Sequence, residues 1–123
     1  NEGLKLIRET FITTMVDMWV EQYKRMGKRD LKTYVNWLLS IVTSSTKYEV
    51  IEYKKNSIRL KFTECPWATF FRNVGNPEVG KFFCDADLPM VEAFNKEIKF
   101  ERTKTLMNGD SFCNHHYFIE DND

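Results

Sequence analysis

The segment Ile58-Arg59-Leu60-Lys61-Phe62-Thr63 alternates apolar and polar side chains without a break. Successive side chains of an extended strand point to opposite faces, so this run has one dry face and one wet face. The run before it keeps the same rhythm, with Tyr48, Val50 and Glu52 alternating with Glu49, Ile51 and Tyr53. A polar stretch from Lys54 to Ser57 separates the two, and together they predict a hairpin. A half-wet sheet needs a cover on its dry side, which directs the remaining segments toward a layered α+β domain.

That cover is written as helices. Leu4, Ile7, Phe11, Met15, Met18 and Gln22 recur at helical spacing, with Ile12 and Trp19 widening the stripe. The pattern predicts one long amphipathic helix ending near Met26, with Gly27 as its left-handed cap residue. Asp30 suits the N-cap of a second helix that buries Leu31, Tyr34, Val35, Leu38, Ile41 and Val42, and Ser44, Ser45 and Thr46 close it. Cys65-Pro66 ends the first hairpin, because proline removes a donor and fits the first turn of a helix. A short helix then carries Trp67, Phe70 and Phe71 to Gly75, and Asn76-Pro77 opens another through Val79, Phe82 and Phe83 to Cys84. Asp87 reads as the cap of a last helical turn containing Leu88, Met90 and Phe94.

Asn108-Gly109 is the preferred pair for a two-residue type I′ turn, since both central positions there need positive φ. A hairpin closed in that way pairs Ile98 with Ile119, Phe100 with Tyr117, Arg102 with His115 and Lys104 with Cys113, all on one face. Lys99, Glu101, Thr103, Thr105 and His116 fall on the wetter side. The expected fold is therefore two N-terminal helices and two β-hairpins separated by short helices, a four-stranded antiparallel sheet with helices on one face.

Composition narrows the function. At 123 residues the chain holds one core, so a single domain over 1–123 is expected. Starting at Asn1 and not at Met, it leaves room for native residues upstream. Eighteen Lys plus Arg balance eighteen Asp plus Glu, which speaks against a nucleic-acid partner. No apolar run reaches the length of a membrane span, and no signal-peptide pattern is present. Three cysteines cannot all pair within one chain, which points to free thiols and a cytoplasmic setting.

The chemistry gathers in the last half. Cys113 and His115 lie two apart on one strand and project to the same side. Such a pair suits a metal ion or a base beside a thiol, and equally a half-buried strand whose cysteine only packs. Cys65, at a helix start, is a candidate low-pKa thiol or a tolerated small residue. Cys84 and Asp87, three apart around a helix end, face one cavity if the helices turn them inward. Cys65, Cys84 and Cys113 with a His or Asp would compose a zinc site, although no C-x-x-C knuckle is present. Arg102 on an inward face needs an anion: a ligand carboxylate, or one of Asp87, Glu101 and Asp110.

Cys65, Phe83-Cys84 with Asp87, Phe94-Asn95, the string Glu101-Arg102-Thr103-Lys104-Thr105-Leu106-Met107 with Gly109-Asp110, Cys113, and His115 with Tyr117 resemble the L-2-amino-thiazoline-4-carboxylic acid hydrolase-like family. The resemblance runs from about residue 60 to 119. It implies opening of a cyclic thiazoline carboxylate to an N-carbamoyl cysteine, a hydrolase grouped with those acting on carbon–nitrogen bonds. The same region is more distantly similar to the 4-vinyl-reductase-type ligand-binding domain, which implies zinc and a non-catalytic binding role as the alternative. Under the hydrolase reading, Cys113 and Cys84 surround the reacting centre, His115 is the base, and Asp87 orients it or acts as a second acid/base. Arg102 then clamps the carboxylate of a small-molecule substrate, with Asn95, Thr105 and Tyr117 as further substrate contacts. A third reading makes the long first helix, with Trp19 and several methionines, the interface of a homodimer.

Overall fold

The computed structural model describes residues 2–42 and 44–120. Its elements are α1 (Glu2–Tyr23), α2 (Leu31–Ile41), β1 (Lys47–Tyr53), β2 (Ser57–Glu64), α3 (Pro66–Asn73), α4 (Pro77–Asp85), α5 (Asp87–Phe94), β3 (Ile98–Glu101), a 3-10 turn (Leu106–Asn108) and β4 (Cys113–Ile119). The four strands form one antiparallel sheet in the order β1-β2-β4-β3. Helices cover the dry face, as the α+β expectation requires. The core gathers Tyr23, Tyr34, Val35, Ile58, Leu60, Val91, Phe94, Ile98 and Tyr117. The alternation in β2 is read by burial, with Ile58, Leu60 and Phe62 inside and Arg59 exposed.

Local signals set most boundaries. Asp30 occupies the N-cap position of α2 in extended backbone, but its carboxylate accepts from the Thr33 hydroxyl and does not close on the helix N–H groups. Cys65 and Asn76 precede helices that open on Pro66 and Pro77. Gly75, at φ 73°, supplies the left-handed residue between α3 and α4.

Three expectations need correction. Gly27 has no left-handed conformation; α1 ends at Tyr23, and the chain leaves through tight bonds from Arg25 N–H to the Gln22 carbonyl and from Met26 N–H to the Tyr23 carbonyl. Asp87 is not a cap: the cap position belongs to Ala86, and the Asp87 side chain is taken by a guanidinium. The final turn is not a two-residue type I′ turn, because only Gly109 has positive φ there (94°).

The reason for that last difference lies in three side chains. The Asn114 carbonyl oxygen accepts from the N–H groups of Thr103 (3.0 Å) and Lys104 (2.7 Å), standing in for a strand partner. The Thr105 hydroxyl accepts from Asn108 N–H at 3.1 Å, and Asp110 accepts from Thr105 N–H at 2.9 Å. Ile98–Ile119 and Phe100–Tyr117 pair as expected, but the ladder stops at Glu101–His116, so Arg102–His115 and Lys104–Cys113 are not strand pairs.

Candidate functional site

A cavity of about 380 Å³ opens between the sheet and the helices. Each element that surrounds it delivers a residue because of its own local geometry. β2 ends beside it with Phe62, and Cys65-Pro66 turns the chain into α3 with Trp67 at its rim. The last turn of α4 presents Phe83 and Cys84, and the first turns of α5 present Asp87 and Met90. Cys113 and His115, two apart on β4, enter from the sheet with Arg102 beyond the end of β3. Met15 and Trp19 of α1 and Leu38 and Ile41 of α2 complete the apolar wall.

Cys65, Cys84, Cys113, Asp87, Arg102 and His115 therefore all face one space, although they are spread over 51 positions of the chain. A hollow of similar size on the sheet (about 420 Å³) also touches Arg102 and His115, but it carries no thiol and no Asp87. The chemistry singles out the first.

Its lining includes an ion pair. Arg102 Nη1 donates to Asp87 Oδ2 at 2.5 Å, and Nη2 donates to the Cys84 carbonyl at 3.1 Å. The two side chains are only 14% and 22% exposed, so the pair is shielded from bulk water. Burial pushes the Asp87 carboxyl up to about 6, against the lowering effect of Arg102. Burial, with the Arg102 charge as a smaller cause, pushes the His115 imidazole down to about 3, so it is neutral at ordinary pH. Its Nδ1 lies 3.2 Å from the Tyr117 hydroxyl. Asp87 thus serves Arg102 and does not orient His115.

Cys84 and Cys113 are not activated. Burial, reinforced by the Asp87 charge, pushes Cys84 up to about 12. Cys113 is also raised by burial, although Leu106 N–H donates to its sulfur at 3.1 Å. Both sulfurs are protonated at neutral pH, which removes the reactive form that covalent attack requires. A zinc ion needs three or four donors converging on one point. Among the described residues no group of three or more His, Cys, Asp or Glu side chains is placed to hold a metal, so Cys65, Cys84 and Cys113 do not fit zinc.

Three expected substrate contacts lie elsewhere. Asn95 ties the exit of α5, its amide donating to the Arg29 carbonyl at 2.8 Å and its oxygen accepting from Glu97 N–H at 2.9 Å. Thr105 is buried in the turn that it builds. Tyr117 is fully buried behind His115 and positions that ring. Sequence reasoning missed the aromatic wall formed by Trp19, Trp67 and Phe83, of which Trp67 and Phe83 stack at 4.4 Å. The surplus of apolar residues around α1 was the available sign.

Fold and site together define an α+β domain with a buried guanidinium–carboxylate pair in an apolar, thiol-lined cavity. The sequence matches the L-2-amino-thiazoline-4-carboxylic acid hydrolase family over residues 1–117, and the chain belongs to that family. No curated protein matches it. Among solved structures, a trafficking protein particle complex subunit 3 from Naegleria fowleri, covalently bound to palmitic acid, shares the fold with a TM-score of 0.53 at 11% identity, over 96% of this chain and 82% of that one. An Fe(II) unliganded H-NOX protein from K. algicida aligns at a TM-score of 0.48 and 12% identity, over 97% of this chain and 62% of that one. Among the described residues no helix is long and apolar enough to cross a membrane.

Proposed function

We propose that this chain hydrolyses a small cyclic amidine bearing a carboxylate, of the 2-amino-thiazoline-4-carboxylate type. The observation that carries the reading is the meeting of Arg102 and Asp87 inside a cavity that otherwise offers hydrocarbon, thiols and a neutral imidazole. Family membership supports the same reaction class.

Arg102 anchors the substrate carboxylate, the task for which a planar guanidinium is best shaped. The carbon between ring sulfur and nitrogen is electrophilic. Ionised Asp87 takes a proton from a water molecule as its oxygen bonds to that carbon, and a carboxyl raised to about 6 is suited to this near neutral pH. As the oxygen adds, the carbon–nitrogen π pair moves onto the nitrogen of the protonated amidine; the adduct then collapses by breaking the carbon–sulfur bond. The sulfur receives the Asp87 proton, the hydroxyl proton leaves to water as the carbonyl forms, and the carbon retains both nitrogens as a ureido group. The product is N-carbamoyl cysteine with a new thiol. The attacked centre is an amidine, but the bond that breaks is to sulfur. Asp87 replaces His115 as the base in this scheme, and Cys84 and Cys113 contribute protonated walls.

The test is incubation of the purified chain with 2-amino-thiazoline-4-carboxylate, with mass-spectrometric detection of N-carbamoyl cysteine. Catalytic formation of that product is expected, and its absence at high enzyme concentration rejects the reading.

A second reading, binding of a small apolar-bodied carboxylate without turnover, is favoured by the aromatic wall of Trp19, Trp67 and Phe83. The palmitic acid of the trafficking-complex subunit is a ligand of that chemistry on the same fold. Saturable binding without product formation would select it.

A further inference from the structure

We propose that the Arg102–Asp87 pair is a receptor for a small zwitterion: the ligand carboxylate takes the guanidinium, and a ligand cation takes the freed Asp87 carboxylate. This deepens the hydrolase reading and rests on it for where the ligand sits.

Charge must balance in a dry place. Isolated charges are costly away from water, and a buried ion pair is tolerated because it is neutral as a unit. Arg102 and Asp87 both line the cavity and are mostly shielded. The groups that face Asp87 from neighbouring elements are Tyr34 of α2, Cys84 of α4, and Cys113 and Tyr117 of β4. None of these is charged at neutral pH, because burial disfavours ionisation of each. Asp85 is the remaining acid nearby, and it is bound to Arg8 at 3.0 Å on the more exposed side. Among the described residues, the cavity therefore holds one positive and one negative charge.

A ligand that carries only a carboxylate leaves this space with one excess negative charge, relieved by a proton arriving on Asp87. A ligand that carries only a cation leaves an excess positive charge. A zwitterion leaves no excess, exchanging one ion pair for two. The guanidinium stays in place during the exchange, because Nη2 remains bonded to the Cys84 carbonyl. An amidine holds its proton at neutral pH, so 2-amino-thiazoline-4-carboxylate is itself such a zwitterion.

Three five-membered-ring probes that cannot be hydrolysed test this by calorimetric titration of the full chain at pH 7: proline (zwitterion), pyrrole-2-carboxylate (anion) and pyrrolidine (cation). Proline should bind about tenfold tighter than either of the others. Pyrrole-2-carboxylate should bind with uptake of a proton, read from buffers of different ionisation enthalpy, and proline with none. Asp87→Asn should invert the order, with pyrrole-2-carboxylate above proline, and Arg102→Gln should favour pyrrolidine over pyrrole-2-carboxylate. Should neither variant fold, the proton uptake of the unaltered chain decides. Equal binding of proline and pyrrole-2-carboxylate, failure of all three to bind, or an order unchanged by Asp87→Asn overturns the proposal. Inversion without thiazoline hydrolysis discards the hydrolase reading and keeps the receptor; hydrolysis without inversion does the reverse.

Discussion

Asp87, Arg102 and His115 each titrate away from their usual range, and the direction of each shift has a measurable consequence. In the proposed hydrolysis, ionised Asp87 is the form that accepts the proton from water. With its carboxyl raised to about 6, kcat/KM should climb as pH rises through that value and level off above it, as a pH profile of thiazoline hydrolysis would show. Arg102 lowers the Asp87 carboxyl, so Arg102→Gln should move that limb to higher pH as well as raise KM. His115 acts on stability. Its folded-state value is about 3 against roughly 6.5 unfolded, so the unfolded chain binds the extra proton. The stability it contributes is complete above roughly pH 6.5 and is lost as pH falls toward about 3, while raised Asp87 works in the opposite sense over part of that window. His115→Phe should therefore unfold at lower pH than the unaltered chain in an acid titration followed by circular dichroism. Sequence alone placed these residues as candidates and left Arg102 with a choice of anions. Distance made the choice, and distance between sequence-remote groups is not written in local pattern.

At the level of elements, period and punctuation were the reliable signals. The alternation of β2, the prolines opening α3 and α4, and the Ile98–Ile119 register all follow from side-chain direction and proline geometry. The final turn was misjudged because Asn114, a side chain five residues beyond Gly109 on β4, supplies the acceptor that the ladder would have given. α1 is present as expected, but its packed face was less legible because its apolar residues spread around the helix: Ile7 and Met18, placed in the apolar stripe, are 59% and 53% exposed, and Tyr23 is its one buried residue among those described. Gly80 shows what an element contact demands. A Cβ there would lie 2.5 Å from Met107 Sδ and 2.8 Å from Phe71 Cβ, so α4 approaches its neighbours only without a side chain. Gly80→Ala should cost about 1–3 kcal/mol in denaturant unfolding, because overpacking forces its neighbours to shift. A loss below a few tenths would mean that the contact is slack.

For the whole molecule, the fold class was legible and the site was legible as a list of residues, but its working parts were not. Six chemistry-bearing side chains meet in one cavity, as their inward-facing positions suggested, yet burial makes thiols of Cys84 and Cys113 and a neutral ring of His115. No local motif records how dry a cavity is. In the proposed reaction the chemistry therefore falls to water, Asp87 and Arg102. The most direct test is the rate of N-carbamoyl cysteine formation from 2-amino-thiazoline-4-carboxylate by the unaltered chain, Asp87→Asn and Cys113→Ser, each verified as folded. Near-complete loss in Asp87→Asn with a rate within a few-fold of normal in Cys113→Ser is the predicted result. Retained activity in Asp87→Asn with loss in Cys113→Ser would contradict the account and return the reaction to a covalent thiol.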